Sequence, residues 1–289
     1  MDFKQLWRLS AQSVQAWSDD YAASMGAALA YYTLFSIAPL LIIAIAVSGL
    51  VFGRQAAQGE IVGQIQDLIG QEGALAVQGL LRSADQPAQN VLATIVSIVT
   101  LVLGATTVFA ELQSNLDRIW RAPALPFRSS MRMLLHTRLL SYGLVLGLGF
   151  LLVVSLSLNA LIAALGKWSI GLFTGWELLL GTINSAISFA VIGSIFALLY
   201  KLMPRAKIAW NDVWIGAALT ALLFEIGKVL IGLYLGKTGV TSVFGAAGSL
   251  VVLLIWVYYS AQIFLLGAEF TRVYACEYGS MAPRAGGAG

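Results

Sequence analysis

Five long stretches of the chain contain no Asp, Glu, Lys or Arg: Tyr21 to Gly53, Gln86 to Ala110, Leu139 to Gly166, Leu178 to Tyr200 and Thr238 to Ala268. Each exceeds the ~20 apolar residues needed to span ~30 Å of hydrocarbon. A sixth segment, Val213 to Gly236, has the right length but carries Glu225 and Lys228. A soluble fold of 289 residues would need about a quarter of them charged, and here only 11% are, against 59% apolar. The sequence therefore predicts an all-α integral membrane protein with six transmembrane helices. The spans fall near residues 27–52, 90–111, 139–164, 178–200, 213–235 and 248–270, in one polytopic domain over 1–289.

Charge placement orients these spans. Lys and Arg favour the cytoplasmic loops. One set of loops holds Lys4, Arg8, Arg118, Arg121, Arg128, Arg132, Arg138, Lys201, Arg205, Lys207, Arg272 and Arg284; the other holds only Arg54, Arg82, Lys167 and Lys237. The asymmetry predicts both termini on the cytoplasmic side, which requires an even number of crossings. Trp168 and Trp176 around the short third loop, and Trp210 and Trp214 at the start of the fifth span, fit interfacial anchors.

Two further elements follow from periodicity. Phe3, Leu6, Trp7, Val14, Trp17 and Tyr21 recur on one helical face beside Lys4 and Arg8, which reads as an interfacial helix lying on the membrane. The first twenty residues lack the apolar core and cleavage site of a secretory signal, so the first span is expected to stay in the mature protein. In the first outer loop, Ile61, Ile65, Leu68 and Ile69 form one apolar stripe and Leu75, Leu80 and Leu81 another. Gly70 and Gly73 separate them into short amphipathic helices. Gly236, Gly239, Gly245 and Gly248 punctuate the approach to the last span, as a re-entrant turn or a tight outer loop.

Several function classes drop out. A net charge of +3 with no Arg-rich tail gives no nucleic-acid footprint. A single cysteine, Cys276, excludes an intrachain disulfide, and a single histidine, His136, leaves no His/Cys set for zinc. No nucleophile, base and orienting group fall together, so the sequence predicts neither an enzyme nor a cofactor, and its expected partners are membrane lipids or copies of itself.

The strongest functional pointer is Glu225 with Lys228, three residues apart on one face of the fifth helix and near mid-bilayer. Each isolated charge there costs roughly 2.5 to 3.5 kcal/mol, so the pair should face the bundle or a wet cavity. It is either a cargo or coupling site or an ion pair that locks helices. Pro39 interrupts the first span and predicts a kink near Ser36 to Ala38. Just before it, small residues and the hydroxyls of Tyr31 and Tyr32 would line a close helix contact, which makes Tyr31, Tyr32 and Pro39 further candidates for cargo or gating. At the inner end of the second span, Glu111, Asn115 and Arg118 share a face, and Asp117 with Arg121 has the spacing of an i,i+4 pair. Glu269 and Arg272 repeat the pattern at the end of the last span. These residues are candidates for headgroup contact or gating, or plain solvated helix ends.

Three stretches are similar to a known family. They run from Ala27 to Leu41 (Ala-Ala-Leu-Ala-Tyr-Tyr-Thr-Leu-Phe-Ser-Ile-Ala-Pro-Leu-Leu), from Asn115 to Trp120, and from Gly248 to Glu269 with Trp256-Val257-Tyr258-Tyr259 at its centre. They resemble the YihY/virulence factor BrkB family of bacterial inner-membrane proteins, over about Asp19 to Tyr274. The resemblance implies six spans and the bacterial inner membrane, with members linked to envelope integrity, serum resistance and lipid export. A ribonuclease BN label once attached to the family does not suit this chain, since that chemistry needs a metal cluster of several histidines and acids. Together these readings lead us to expect a transporter or flippase for a lipid or other amphipathic envelope molecule. An ion or small-solute carrier or channel, and a non-transporting envelope scaffold, are the alternatives.

Overall fold

The computed structural model describes residues 3–84, 107–123, 176–238 and 247–282. Every regular element among them is a helix. In chain order these are α1 (Phe3–Asp19), α2 (Ala22–Phe52), α3 (Arg54–Ala84), α4 (residues 107–119), α5 (Trp176–Leu202), α6 (Trp210–Thr238) and α7 (Gly248–Glu277). The expected third span at 139–164 lies outside the described residues, as does most of the second. Arg128, Arg132, His136, Arg138, Trp168, Gly239 and Gly245 also lie outside them.

Four helical segments are long and apolar enough to cross a bilayer: Ala22–Leu50, Ser185–Leu202, Trp210–Tyr234 and Gly248–Glu277. The 31 residues of α2 make about 47 Å of helix at 1.5 Å per residue, more than the hydrocarbon requires. Large apolar side chains point away from the protein along these spans, among them Leu50, Leu222, Val229 and Leu230. In water such faces would be a liability; against acyl chains they are the ordinary condition of a spanning helix.

The helices alternate in direction. On α2 and α4, Asp20 meets Arg121 at one end while Ser36 lies 3.1 Å from Thr107 further along. On α5 and α6, Tyr200 meets Thr220 and Phe196 stacks edge-on with Phe224. On α6 and α7, Asp212 holds Ser280 and Gly216 faces Thr271, while Phe224 reaches Trp256. The start of α2, the ends of α4, α5 and α7, and the start of α6 therefore gather at one end of the bundle, the junction end.

Close approach of α6 and α7 depends on residues without side chains. A Cβ on Gly216 would collide with Thr271, and one on Gly267 would collide with Thr220 and the Tyr200 hydroxyl. Small residues at such crossings let backbones come close enough for van der Waals packing and local hydrogen bonds to hold helices together in lipid. The Tyr200 hydroxyl uses this proximity to donate to the carbonyl of Phe264 at 2.7 Å.

At the distal end α2 passes into α3 through Gly53, whose φ of 82° is costly for other residues. α3 breaks at Gly70, with φ 78° and ψ 174°, into two helical legs. The expected division of the first outer loop is thus present, with Gly70 as the break and Gly73 inside the second leg. Ile61 and Val62 of the first leg and Ala76, Val77 and Leu81 of the second pack together against Ile45 of α2 and Leu253 of α7. α2 itself is continuous from Ala22 to Phe52, so the bend expected at Pro39 does not interrupt the helix.

α1 packs along the junction end of α7. Leu9 and Ser13 are buried there, whereas Leu6, Trp7 and Val14 face outward, Trp7 with 72% of its surface exposed. Leu6, Trp7 and Val14 belong to the apolar stripe read from the sequence, but Trp17 of the same stripe packs against the core, so the protein buries that face only in part. Tyr21, between α1 and α2, takes left-handed dihedrals (φ 58°, ψ 38°) that turn the chain in a single residue.

Candidate functional site

Two charged sites lie on α6 and α7, one in mid-span and one at the junction end. In the first, Lys228 Nζ stands 2.8 Å from Glu225 Oε2, as the i,i+3 spacing allows. Phe224, Lys228 and Ile231 share the α6 face that meets Trp256, Tyr259 and Ser260 of α7 across a narrow cleft. The Glu225 and Lys228 side chains keep 31% and 29% of their surface. Their neighbours Ile226 and Val229 are exposed. The pair thus sits at the edge of the helix contact, between the α7 interface and the lipid-facing surface. Glu225 Oε1 is buried without a hydrogen-bond partner.

The second site joins four charges from three parts of the chain. Arg121 donates to Asp20 Oδ1 at 2.7 Å. Arg272 Nε donates to Glu269 Oε2 at 3.2 Å. The Asp20 and Glu269 carboxyls stand within hydrogen-bonding reach of each other. Asp20 is 3% exposed and Glu269 fully buried. Their remaining oxygens, Asp20 Oδ2 and Glu269 Oε1, have no donor.

Sequence spacing located Glu269 and Arg272 but assigned Arg121 the wrong partner. Arg121 follows the end of α4 at φ 50°. The amide of Ala122 donates to the Asp117 carbonyl at 2.8 Å and that of Arg121 to the Arg118 carbonyl at 3.1 Å. This is a Schellman closure, which normally places glycine at the left-handed position. With arginine there, the side chain leaves the face of Asp117 and reaches Asp20. Asp117 is instead held by Arg205, through its side chain at 3.1 Å and its backbone amide at 2.8 Å.

The other candidates are dispersed. Tyr31 and Tyr32 contact each other edge-on and are exposed on α2, with Phe35 against Tyr31. Pro39 is buried within α2 and Glu111 half-buried on α4. Asn115 is buried with its Nδ2 unpartnered, and Arg118 is exposed. Asp20 was missed. A signal for it existed: an acid directly ahead of a long charge-free run is out of keeping with the lysines and arginines that normally flank a cytoplasmic helix end.

Further contacts close the junction end. Arg8 pairs with Glu277 at 2.7 Å, and that carboxylate raises the guanidinium's already high pKa. Asp212, in the first turn of α6, accepts from the amide and hydroxyl of Ser280 at 3.0 and 2.6 Å. Lys201 donates to the Ile208 carbonyl and lies over the Trp210 ring. Among the described residues no group of three or more His, Cys, Asp or Glu side chains could hold a metal ion.

A bundle of long apolar helices, with its few charges drawn into pairs at helix contacts, is a helical membrane protein. Its family is defined by sequence: residues 13–286 match the family described as virulence factor BrkB, and the chain belongs to that family. It is 32% identical over 251 residues to a UPF0761 membrane protein of Pseudomonas aeruginosa, covering 86% of this chain and 58% of the relative. A UPF0761 membrane protein of Tolumonas auensis is 34% identical over 180 residues, covering 62% and 56%. One from Alcanivorax borkumensis is 26% identical over 275 residues, covering 94% and 62%. The chain thus spans about three-fifths of the length of these relatives. No solved structure matches it.

Proposed function

We propose that the protein is a six-span carrier of the bacterial inner membrane that moves a lipid or another amphipathic envelope molecule between leaflets. The observation that carries this reading is the position of Glu225 and Lys228: paired in mid-span, a third exposed, and beside outward-facing Ile226 and Val229. A zwitterionic or anionic headgroup could exchange partners with such a pair while its acyl chains stay in lipid. Charges sealed inside a dry contact would offer no such exchange. The cleft beside Lys228 is narrow, so cargo passage on this reading requires α6 and α7 to part.

Six spans fit the chain direction. α4 ends at the junction end and α5 runs toward it from the distal end, a pair of directions that supports one further crossing by the apolar run read from the sequence at 139–164. The basic residues of α1, α4, the α5–α6 connection and α7 collect at the junction end, which supports a cytoplasmic placement of that end.

Reconstitution tests the reading. In liposomes carrying a headgroup-labelled phospholipid, the wild-type chain should speed transfer between leaflets, and Glu225→Gln and Lys228→Met should slow it severely. Transfer at the wild-type rate by both folded variants removes the pair from the mechanism. A chain that passes labelled ions or small solutes but no lipid belongs to the solute-carrier class instead.

A further inference from the structure

We propose that Asp20 and Glu269 form a proton-binding site that drives or gates the carrier from the junction end. The inference rests on the transport reading for its purpose but not for its chemistry. Two carboxyls from different helical segments, both more than nine-tenths buried, lie within hydrogen-bonding reach where the start of α2 meets α7. Arg121 takes one oxygen of Asp20 and Arg272 one oxygen of Glu269. The two oxygens left, Oδ2 and Oε1, have no protein donor. Two ionised carboxylates in such contact repel, whereas one proton between them replaces the repulsion with a short charge-assisted hydrogen bond.

Among the described residues, the nearby charged groups do not reach these oxygens. From α1, Gln12, Gln15 and Asp19 line an open groove that also contains Arg272 and Glu277, and Glu277 is taken by Arg8. From α4 come Arg121, engaged with Asp20, and the exposed Arg118. On α6, Gly216 and Thr220 meet Thr271 and Gly267, the positions two residues either side of Glu269, while Asp212 is committed to Ser280. From α5 the Tyr200 hydroxyl donates to the Phe264 carbonyl. Arg272, the cation on Glu269, lines that open groove.

Binding takes one proton from water to a carboxylate oxygen and forms one O–H bond; release returns it. With the proton present, the start of α2, the end of α4 and the inner part of α7 are joined through Arg121, Asp20, Glu269 and Arg272. Without it, the central contact becomes repulsive and α7 is freed from the turn at Asp20. A step in the transport cycle that needs α7 to move is thereby tied to a proton.

Infrared spectroscopy of the full chain in nanodiscs tests this. The wild type should show the carbonyl band of a protonated carboxylic acid that disappears on titration to alkaline pH. Carboxyl-13C labelling of aspartate or of glutamate in the unmutated chain should move that band, with no dependence on how a variant folds. Glu269→Gln and Asp20→Asn should each abolish it. A folded wild type with no acid band at any pH, or a band that neither labelling moves, overturns the assignment. In liposomes, lipid transfer should vary with pH in the wild type and lose that dependence in Glu269→Gln. Unchanged pH dependence in that variant overturns the coupling. Absence of lipid transfer altogether counts against the proposed function, and the labelled band still decides the proton site.

Discussion

The mid-span pair and the junction cluster are built from the same residue types but solve burial differently. Glu225 and Lys228 neutralise each other on one helix, and their partial exposure leaves both able to exchange partners. Asp20, Glu269, Arg121 and Arg272 come from the α1–α2 turn, α7 and the end of α4, so each contact there joins separate parts of the fold. The first arrangement can lose its partner interaction without unfastening helices. The second cannot, and it carries two acids whose charges oppose each other.

The variant that should separate them most is Arg272→Leu. It leaves Glu269 buried without its cation, which should cost about 3 to 5 kcal/mol, read as early unfolding on denaturant titration in micelles. An effect no larger than that of a surface arginine would show that the junction cluster does not hold the helices. Lys228→Met comes next, because it strands Glu225 in mid-bilayer at about 2.5 to 3.5 kcal/mol. The double variant Glu225→Gln with Lys228→Met should recover nearly all of that loss and unfold within about 1 kcal/mol of the wild type, while remaining inactive in lipid transfer. If the double variant is as unstable as the single one, the pair is a structural lock and the contrast between the two sites collapses. Arg8→Ala should change the unfolding curve least, since Arg8 and Glu277 meet at the solvent-exposed surface where ion pairs contribute little. High salt should mimic it.

Whatever depends on one helix at a time was legible in the letters. Charge-free runs gave α2, α5 and α7, and the i,i+3 spacing gave Glu225 with Lys228 and Glu269 with Arg272. Gly70 marked its own break because few other residues tolerate its dihedrals. Contacts between helices were hidden. Asp117 and Arg121 have ideal spacing for a pair, but a helix that ends two residues before Arg121, through a left-handed arginine where glycine is usual, turns that side chain to another partner. Arg205 then reaches Asp117 from a connection 88 residues away. Asp20 looked like ordinary polar flank because its burial depends on α4 and α7 together, and no periodicity within its own segment encodes that.

The docking of α1 along the end of α7 has a practical consequence for topology mapping. A reporter attached ahead of α1 and another attached beyond α7 would sample one compartment, whichever way the protein is inserted. Such a pair of fusions is a duplicate measurement. The informative counterpart is a tag at the Gly53 bend, where the polypeptide has travelled the length of α2 and emerges on the opposite side.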